Sequence, residues 1–268
     1  MPPGSPAPAS VRSSVESIDV SGEVVVLARF GATTWGHWLG ELIPKVAMLE
    51  AAYPGRFSYT VPEVLDREQF ANFRQALLVH GVSPAKLIFL RHLRQYRLAK
   101  PWFLSAAWSD SFLHPAAAAA MRARFPIAQA PIDRRVALLR RQGDGRDIQN
   151  WKEVGDALRD CGYEHVHIAD LTFEEQVCVF KESRTVVSVL GSGLTGLMYS
   201  PPGVRVASMS PSHFADRFFY GLISGRQGHY ADVRGYAPAP QNGSTDRSSF
   251  ELSVARLHEA LDALHAQE

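Results

Sequence analysis

His37 and Glu41 stand four residues apart in FGATTWGHWLGELIPKVAMLEAA, where Leu39, Leu42, Val46 and Leu49 recur at helical spacing. Residues at i and i+4 share a helix face, so an imidazole and a carboxylate project together, away from the leucines. Beside Trp35 and Trp38 they can act as a general-base pair that takes a proton from an alcohol. The alternative is an ion pair on a solvated face. Gly40 and Pro44 fall on the same side, which predicts a groove of little bulk and a kink or end near Pro44. A second place is Gly191-Ser192-Gly193, between the apolar run Thr185 to Leu190 and a short helix from Leu194 to Tyr199 that Pro201-Pro202-Gly203 stops. Strand, glycine turn and helix start leave N–H groups free for an anion, and Ser192 and Thr195 add hydroxyls. An ordinary βα turn reads the same way. The third is Arg140-Arg141, directly after the strand Arg135 to Leu139. α/β sheets hold ligands at that edge, and a guanidinium grips a phosphate with two hydrogen bonds. A pair of surface cations is the alternative there.

The elements around these residues alternate. Strands are expected at Glu23 to Ala28, Phe57 to Val61 and Lys86 to Leu90, an extended run at Tyr96 to Leu104, and helices at Asp66 to His80 and Pro115 to Arg124. The apolar, proline-bearing Pro126 to Ile132 marks a boundary. Beyond it, Asn150 is placed to cap a helix from Trp151 to Arg159, and Tyr163 to Ile168 is a strand. Thr172 and Glu175 have capping-box spacing before a helix to Lys181, and Val204 to Met209 is a strand. The stretch from Pro211 to Gly235 reads as a binding loop plus a short helix. Ser248 and Glu251 form a second capping-box pair ahead of a final amphipathic helix through Val254, Leu257, Leu261 and Leu264, which should pack back on the body. The alternation predicts an α/β protein of two Rossmann-like halves with parallel sheets. Residues 1–16 form a disordered lead, 17–130 an N-terminal half, 131–235 a C-terminal half, and 236–268 a linker with the last helix.

Length and charge narrow the classes. The 268 residues can bury a real core, and 28 Lys and Arg against 27 Asp and Glu argue against a nucleic-acid surface. Two cysteines, Cys161 and Cys178, lack metal-type spacing and read as buried thiols in a reducing, cytoplasmic compartment. His165 and His167 share a strand face but have no third ligand at suitable spacing, so no metal site is expected. No apolar window of about 18 residues is present to span a membrane. An α/β hydrolase with Ser192 as nucleophile would need G-x-S-x-G, and Leu190 stands where its first glycine belongs. A Rossmann oxidoreductase would need an acidic residue about 20 positions after the glycine turn.

Four ordered blocks resemble glycosyltransferase family 61, whose bacterial members serve capsule and exopolysaccharide synthesis. The first is Gly36, His37, Trp38, Leu39, Glu41, Pro44 and Lys45. The second is Arg140, Arg141, Arg146 and Asn150, with Leu139 and Trp151 departing from the pattern. The third is Leu171, Thr172, Phe173, Glu175 and Gln176. The fourth runs Gly191, Ser192, Gly193, Leu194, Thr195, Gly196, Tyr199, Pro201, Pro202 and Gly203. Leu190 and Gly196 stand where the family has His and Asn.

The resemblance implies a GT-B-like arrangement and an inverting, metal-independent transfer from a nucleotide-sugar donor to a hydroxyl of a glycan or lipid-linked glycan, with no other cofactor. Glu41, held or assisted by His37, is the implied base. Arg140, Arg141, Arg146, Glu175, Ser192, Gly193, Leu194 and Thr195 are the implied donor contacts, with Glu175 on the ribose. Trp35, Trp38 and His213 border the acceptor cleft. Peripheral membrane association and oligomeric state stay open. A non-catalytic subunit that binds a nucleotide sugar or glycan is the alternative.

Overall fold

The computed structural model describes residues 17–109, 112–126, 133–141, 143, 145–214, 216–238 and 247–266. The expected lead, most of the boundary segment after Pro126 and the middle of the expected linker lie outside them.

The first half runs β1 (Ser17–Val26), α1 (Trp35–His37), α2 (Ile43–Ala52), β2 (Ser58–Pro62), α3 (Ala71–Val79), β3 (Leu87–Leu90) and β4 (Gln95–Trp102). Its four strands are parallel in the order β3-β2-β1-β4. A short antiparallel pair, β5 (Trp108–Ser109) and β6 (Phe112–Leu113), leads into α4 (Pro115–Ala123). The second half runs β7 (Arg134–Leu139), α5 (Trp151–Asp160), β8 (Glu164–His167), α6 (Phe173–Glu182) and β9 (Ser183–Val189). A 3-10 helix (Ser192–Tyr199) follows, then β10 (Arg205–Pro211), α7 (Phe218–Ser224), β11 (His229–Gly235) and α8 (Val254–His265). Its sheet is parallel throughout, in the order β11-β10-β9-β7-β8. The fold is therefore α/β, with two Rossmann-like halves.

Central β9 is buried on both faces, as a β-branched run between helix layers must be. On one face Val136, Val186 and Leu194 join Val25, Leu27 and Ile43 of the first half in a single apolar cluster. On the other, Val187 and Ala207 meet Val154, Leu158, Leu257, Leu261 and Leu264, so α8 does pack back. Its N-cap is Ser253, whose hydroxyl accepts from Arg256 N. Ser248 and Glu251 do not open this helix, because residues 250 and 251 bridge to 148 and 236 instead. Asn150 occupies the cap position of α5, but its side chain donates to Leu252 O (2.9 Å) and Glu153 and accepts from Leu252 N (3.0 Å). It pins that crossing segment. β11 was read as part of a binding loop, because its polar residues alternate too weakly to mark a strand. Both cysteines are free thiols; Cys178 is exposed rather than buried.

Trp38–Leu42 is one π turn, with Ile43 N donating five residues back to Trp38 O. The low-bulk side of this helix is a notch instead of an open groove. A Cβ on Gly36 would stand 3.3 Å from Ser192 Cβ, and one on Gly40 would stand 3.1 Å from Phe218 and 3.4 Å from Thr195. The two glycines let the halves close directly over the glycine turn.

Candidate functional site

Two arginines converge on the glycine turn. β7 pairs with β9 in parallel, Leu138 opposite Ser188, so Arg140 and Gly191 leave the same sheet edge side by side. Measured from where a Cβ on Gly191 would stand, Arg146 Nη2 lies 3.5 Å away and Arg140 Nη1 3.6 Å. Arg146 takes the left-handed conformation, φ +57°, which costs a residue with a side chain about 1 kcal/mol and gathers at functional sites. Its N–H donates to Arg247 O (3.1 Å), and its guanidinium lies over the Phe214 ring, 4.8 Å from the centroid. Neighbouring His213 has a buried Nε2 that meets no hydrogen-bond partner among the described residues. Arg141 diverges and pairs with Asp170 at 2.9 Å.

A cavity of about 580 Å³ opens from this edge between the halves. Trp35, Asn72 and Phe73 line it from the first half, and Arg140, Arg141, Gln176, Ser192 and Gly193 from the second. Trp35 is fixed edge-on against Phe73 (5.0 Å) and Phe173 (6.0 Å). Asn72 Nδ2 donates to Leu171 O across the seam.

The second cluster sits past the end of β1. His37 Nδ1 lies 2.5 Å from Glu41 Oε1, and Arg29 Nη2 lies 2.9 Å from Glu41 Oε2, so both carboxylate oxygens are engaged. Gly31 (φ +82°) packs its backbone on the imidazole; a Cβ there would stand 3.0 Å from His37 Cδ2. Lys45, 8 % exposed, reaches Leu104 O at 3.5 Å. Burial and then the Arg29 charge push its pKa down, against the pull of Glu41. Pro44 has no N–H for Gly40 O, and the Trp108 indole donates to that carbonyl instead. Phe30, 97 % exposed, stands beside Arg29 in the loop.

Several expected site residues do other work. Trp38 is fully buried and donates to Phe73 O (3.0 Å), so it belongs to the core and not to a cleft. Leu194 is buried and its N–H donates to Gly191 O (2.9 Å), which removes it as an anion donor. Thr195 is sealed at the seam under Gly36 and Gly40. Glu175 closes the capping box, its Oε2 accepting from Thr172 N and Oγ1 at 2.8 Å each, and those bonds hold its pKa below the usual carboxylate value. The adjacent Gln176 lines the cavity in its place. Arg29 and Asn72 were not singled out from sequence, and Gln176 was given no site role there. Arg29 follows the β1 run directly, the same signal that marked Arg140; Gln176 lay inside the third block. Asn72 had no signal. Among the described residues no three of His, Cys, Asp and Glu gather as a metal site, and no helix is long and apolar enough to cross a membrane.

The family model for glycosyltransferase 61 matches residues 35–207, which contain the glycine turn, both arginines over it and the His37–Glu41 pair. Among solved structures, the E. coli heptosyltransferase WaaC with ADP is similar at a TM-score of 0.48 and 12 % identity, over 92 % of this chain and 98 % of that one. The same enzyme with ADP-2-deoxy-2-fluoro heptose gives 0.44 and 11 %, over 91 % and 99 %. No curated protein matches the sequence.

Proposed function

The chain belongs to glycosyltransferase family 61, and on that premise we propose that it moves a sugar from a nucleotide-sugar donor to a hydroxyl of a glycan or lipid-linked glycan, with inversion. The observation that carries this reading is the pair of guanidinium groups, Arg140 and Arg146, over Gly191. They supply positive charge where a leaving diphosphate develops its negative charge, so transfer needs no divalent ion in this reading. The nucleoside extends into the cavity past Trp35 and Gln176.

The base assignment moves from Glu41 to His37. Both Glu41 oxygens are held, one by His37 and one by Arg29, whereas the imidazole of His37 is half exposed. Glu41 fixes Nδ1 as the protonated nitrogen, and Nε2 takes the proton of the acceptor hydroxyl. The acceptor oxygen then bonds to the anomeric carbon as the bond to phosphate breaks on the opposite face. Phe30 offers an exposed ring beside the acceptor position. Capsule or exopolysaccharide synthesis on the cytoplasmic side of a bacterial membrane is the setting this reading favours. A second reading, a binding subunit without turnover, is favoured by Leu190 and Gly196, which replace the family's His and Asn.

Calorimetry with nucleoside diphosphates, alongside transfer assays on a donor panel, tests both. Arg140→Ala should weaken binding at least about tenfold, the loss of one charge-assisted contact. His37→Ala and Glu41→Gln should keep binding and lose about 100-fold or more in transfer. An unchanged dissociation constant in the arginine variant sinks the donor site. Donor binding without any turnover favours the second reading.

A further inference from the structure

Behind the glycine-turn helix, remote from the site above, α4 of the first half faces α7 of the second across a cavity of about 30 Å³. Leu113, Met198, Leu222 and Gly225 form its walls, with Arg122 and Arg226. Arg226 is only 7 % exposed. Its guanidinium donates to Ser200 O, while its Nε is buried and meets no partner among the described residues. Burial pushes its pKa down to about 10, and the charge of Arg122 pushes the same way. Burial lowers Arg122 too. Among the described residues neither guanidinium reaches a carboxylate, although buried charges are ordinarily paired.

Capping of the 3-10 helix accounts for one donor of Arg226, the one on Ser200 O. It leaves the Nε and the second arginine beside the same small space unexplained. One buried and one partly buried cation beside the same space, with no acid between them, suit an anion. The space holds about two waters, the size of one small oxyanion, and a guanidinium fork matches the paired oxygens of such an ion. We propose that Arg122 and Arg226 bind a small inorganic oxyanion, of the phosphate or sulfate class, that ties α4 to α7 and to the end of the 3-10 helix. The bound ion neutralises both charges and fastens α4 of the first half to α7 of the second. This site does not depend on the transfer reading.

The test is thermal denaturation and calorimetry of the full chain with inorganic phosphate, against chloride at matched ionic strength. Phosphate should raise the melting temperature in a saturable way, by mass action on the folded state. That response should persist in Arg140→Ala and weaken at least about tenfold in Arg122→Gln and Arg226→Gln. Should Arg226→Gln fail to fold, Arg122→Gln, whose side chain is partly exposed, decides alone. No response, an equal response to chloride, or a response lost in Arg140→Ala and kept in Arg122→Gln overturns the site.

Discussion

Gly196 sits under the ring of Phe180, so close that a Cβ there would stand 2.0 Å from Cε2 and 2.3 Å from Cδ2. Phe180 is itself buried in the cluster shared by the halves and has nowhere to swing. The family's Asn cannot occupy this position while Phe180 fills the space, so the departure is a packing exchange between two residues of one seam. Leu190 is of the same kind, because it is buried in that cluster where an imidazole would lose its water. Gly196→Ala should therefore cost about 1–3 kcal/mol or more, the range for overpacking a core. Adding Phe180→Leu should return part of that loss, since contacting residues do not add independently. Urea midpoints of the two single variants and the double give the coupling; strict additivity would show that the ring is not the obstacle.

At the scale of elements, the stretch from Trp35 to Ala52 shows what a sequence can and cannot reveal. Its apolar spacing and the i,i+4 pairing of His37 with Glu41 were readable, and the pair forms at 2.5 Å. Pro44 promised a break; the break is the π turn, and the Trp108 indole takes up the freed Gly40 carbonyl from 68 residues away. No local pattern encodes such a bond. Nor could spacing reveal that Arg29 grips Glu41, or that the Leu194 N–H is consumed by its own turn, because both depend on loop geometry. The strands with apolar cores, β7, β9 and β10, were legible, whereas polar β11 was not, since a strand at a sheet edge is held by one neighbour and needs less apolar surface. Trp108→Phe keeps the ring contact with Phe218 (4.5 Å) and deletes only the donor. It should cost about 1–2 kcal/mol for the stranded carbonyl and slow transfer, because Glu41 is the next residue. Wild-type stability in that variant would show that water replaces the indole.

The whole molecule is fastened at a buried polar chain that joins its halves. His80, 1 % exposed at the end of α3, meets Ala76 O through Nδ1 (2.7 Å), and its Nε2 lies 3.3 Å from the hydroxyl of Tyr199, the last residue of the 3-10 helix. A carbonyl partner requires Nδ1 to carry a proton, and Nε2 faces the tyrosine hydroxyl, which also reaches Met121 Sδ at 3.8 Å. Burial pushes the His80 pKa below its usual value, Arg124 adds to the shift, and the carbonyls of Ala76 and Met121 oppose it. The unfolded chain then takes up this proton at a higher pH than the folded one. Stability from this group is complete above the unfolded value, about 6.5, and falls as the pH drops from there toward the folded value, by at most about 1.4 kcal/mol per pH unit. Because His80 belongs to the first half and Tyr199 to the second, protonation should loosen the seam on which the glycine turn rests. Urea midpoints at about pH 7.5 and about pH 5.5 should differ in the wild type. His80→Gln, which cannot titrate, should reduce that difference even though it lowers stability at both values. An identical acid response in His80→Gln would move the sensitivity to another group.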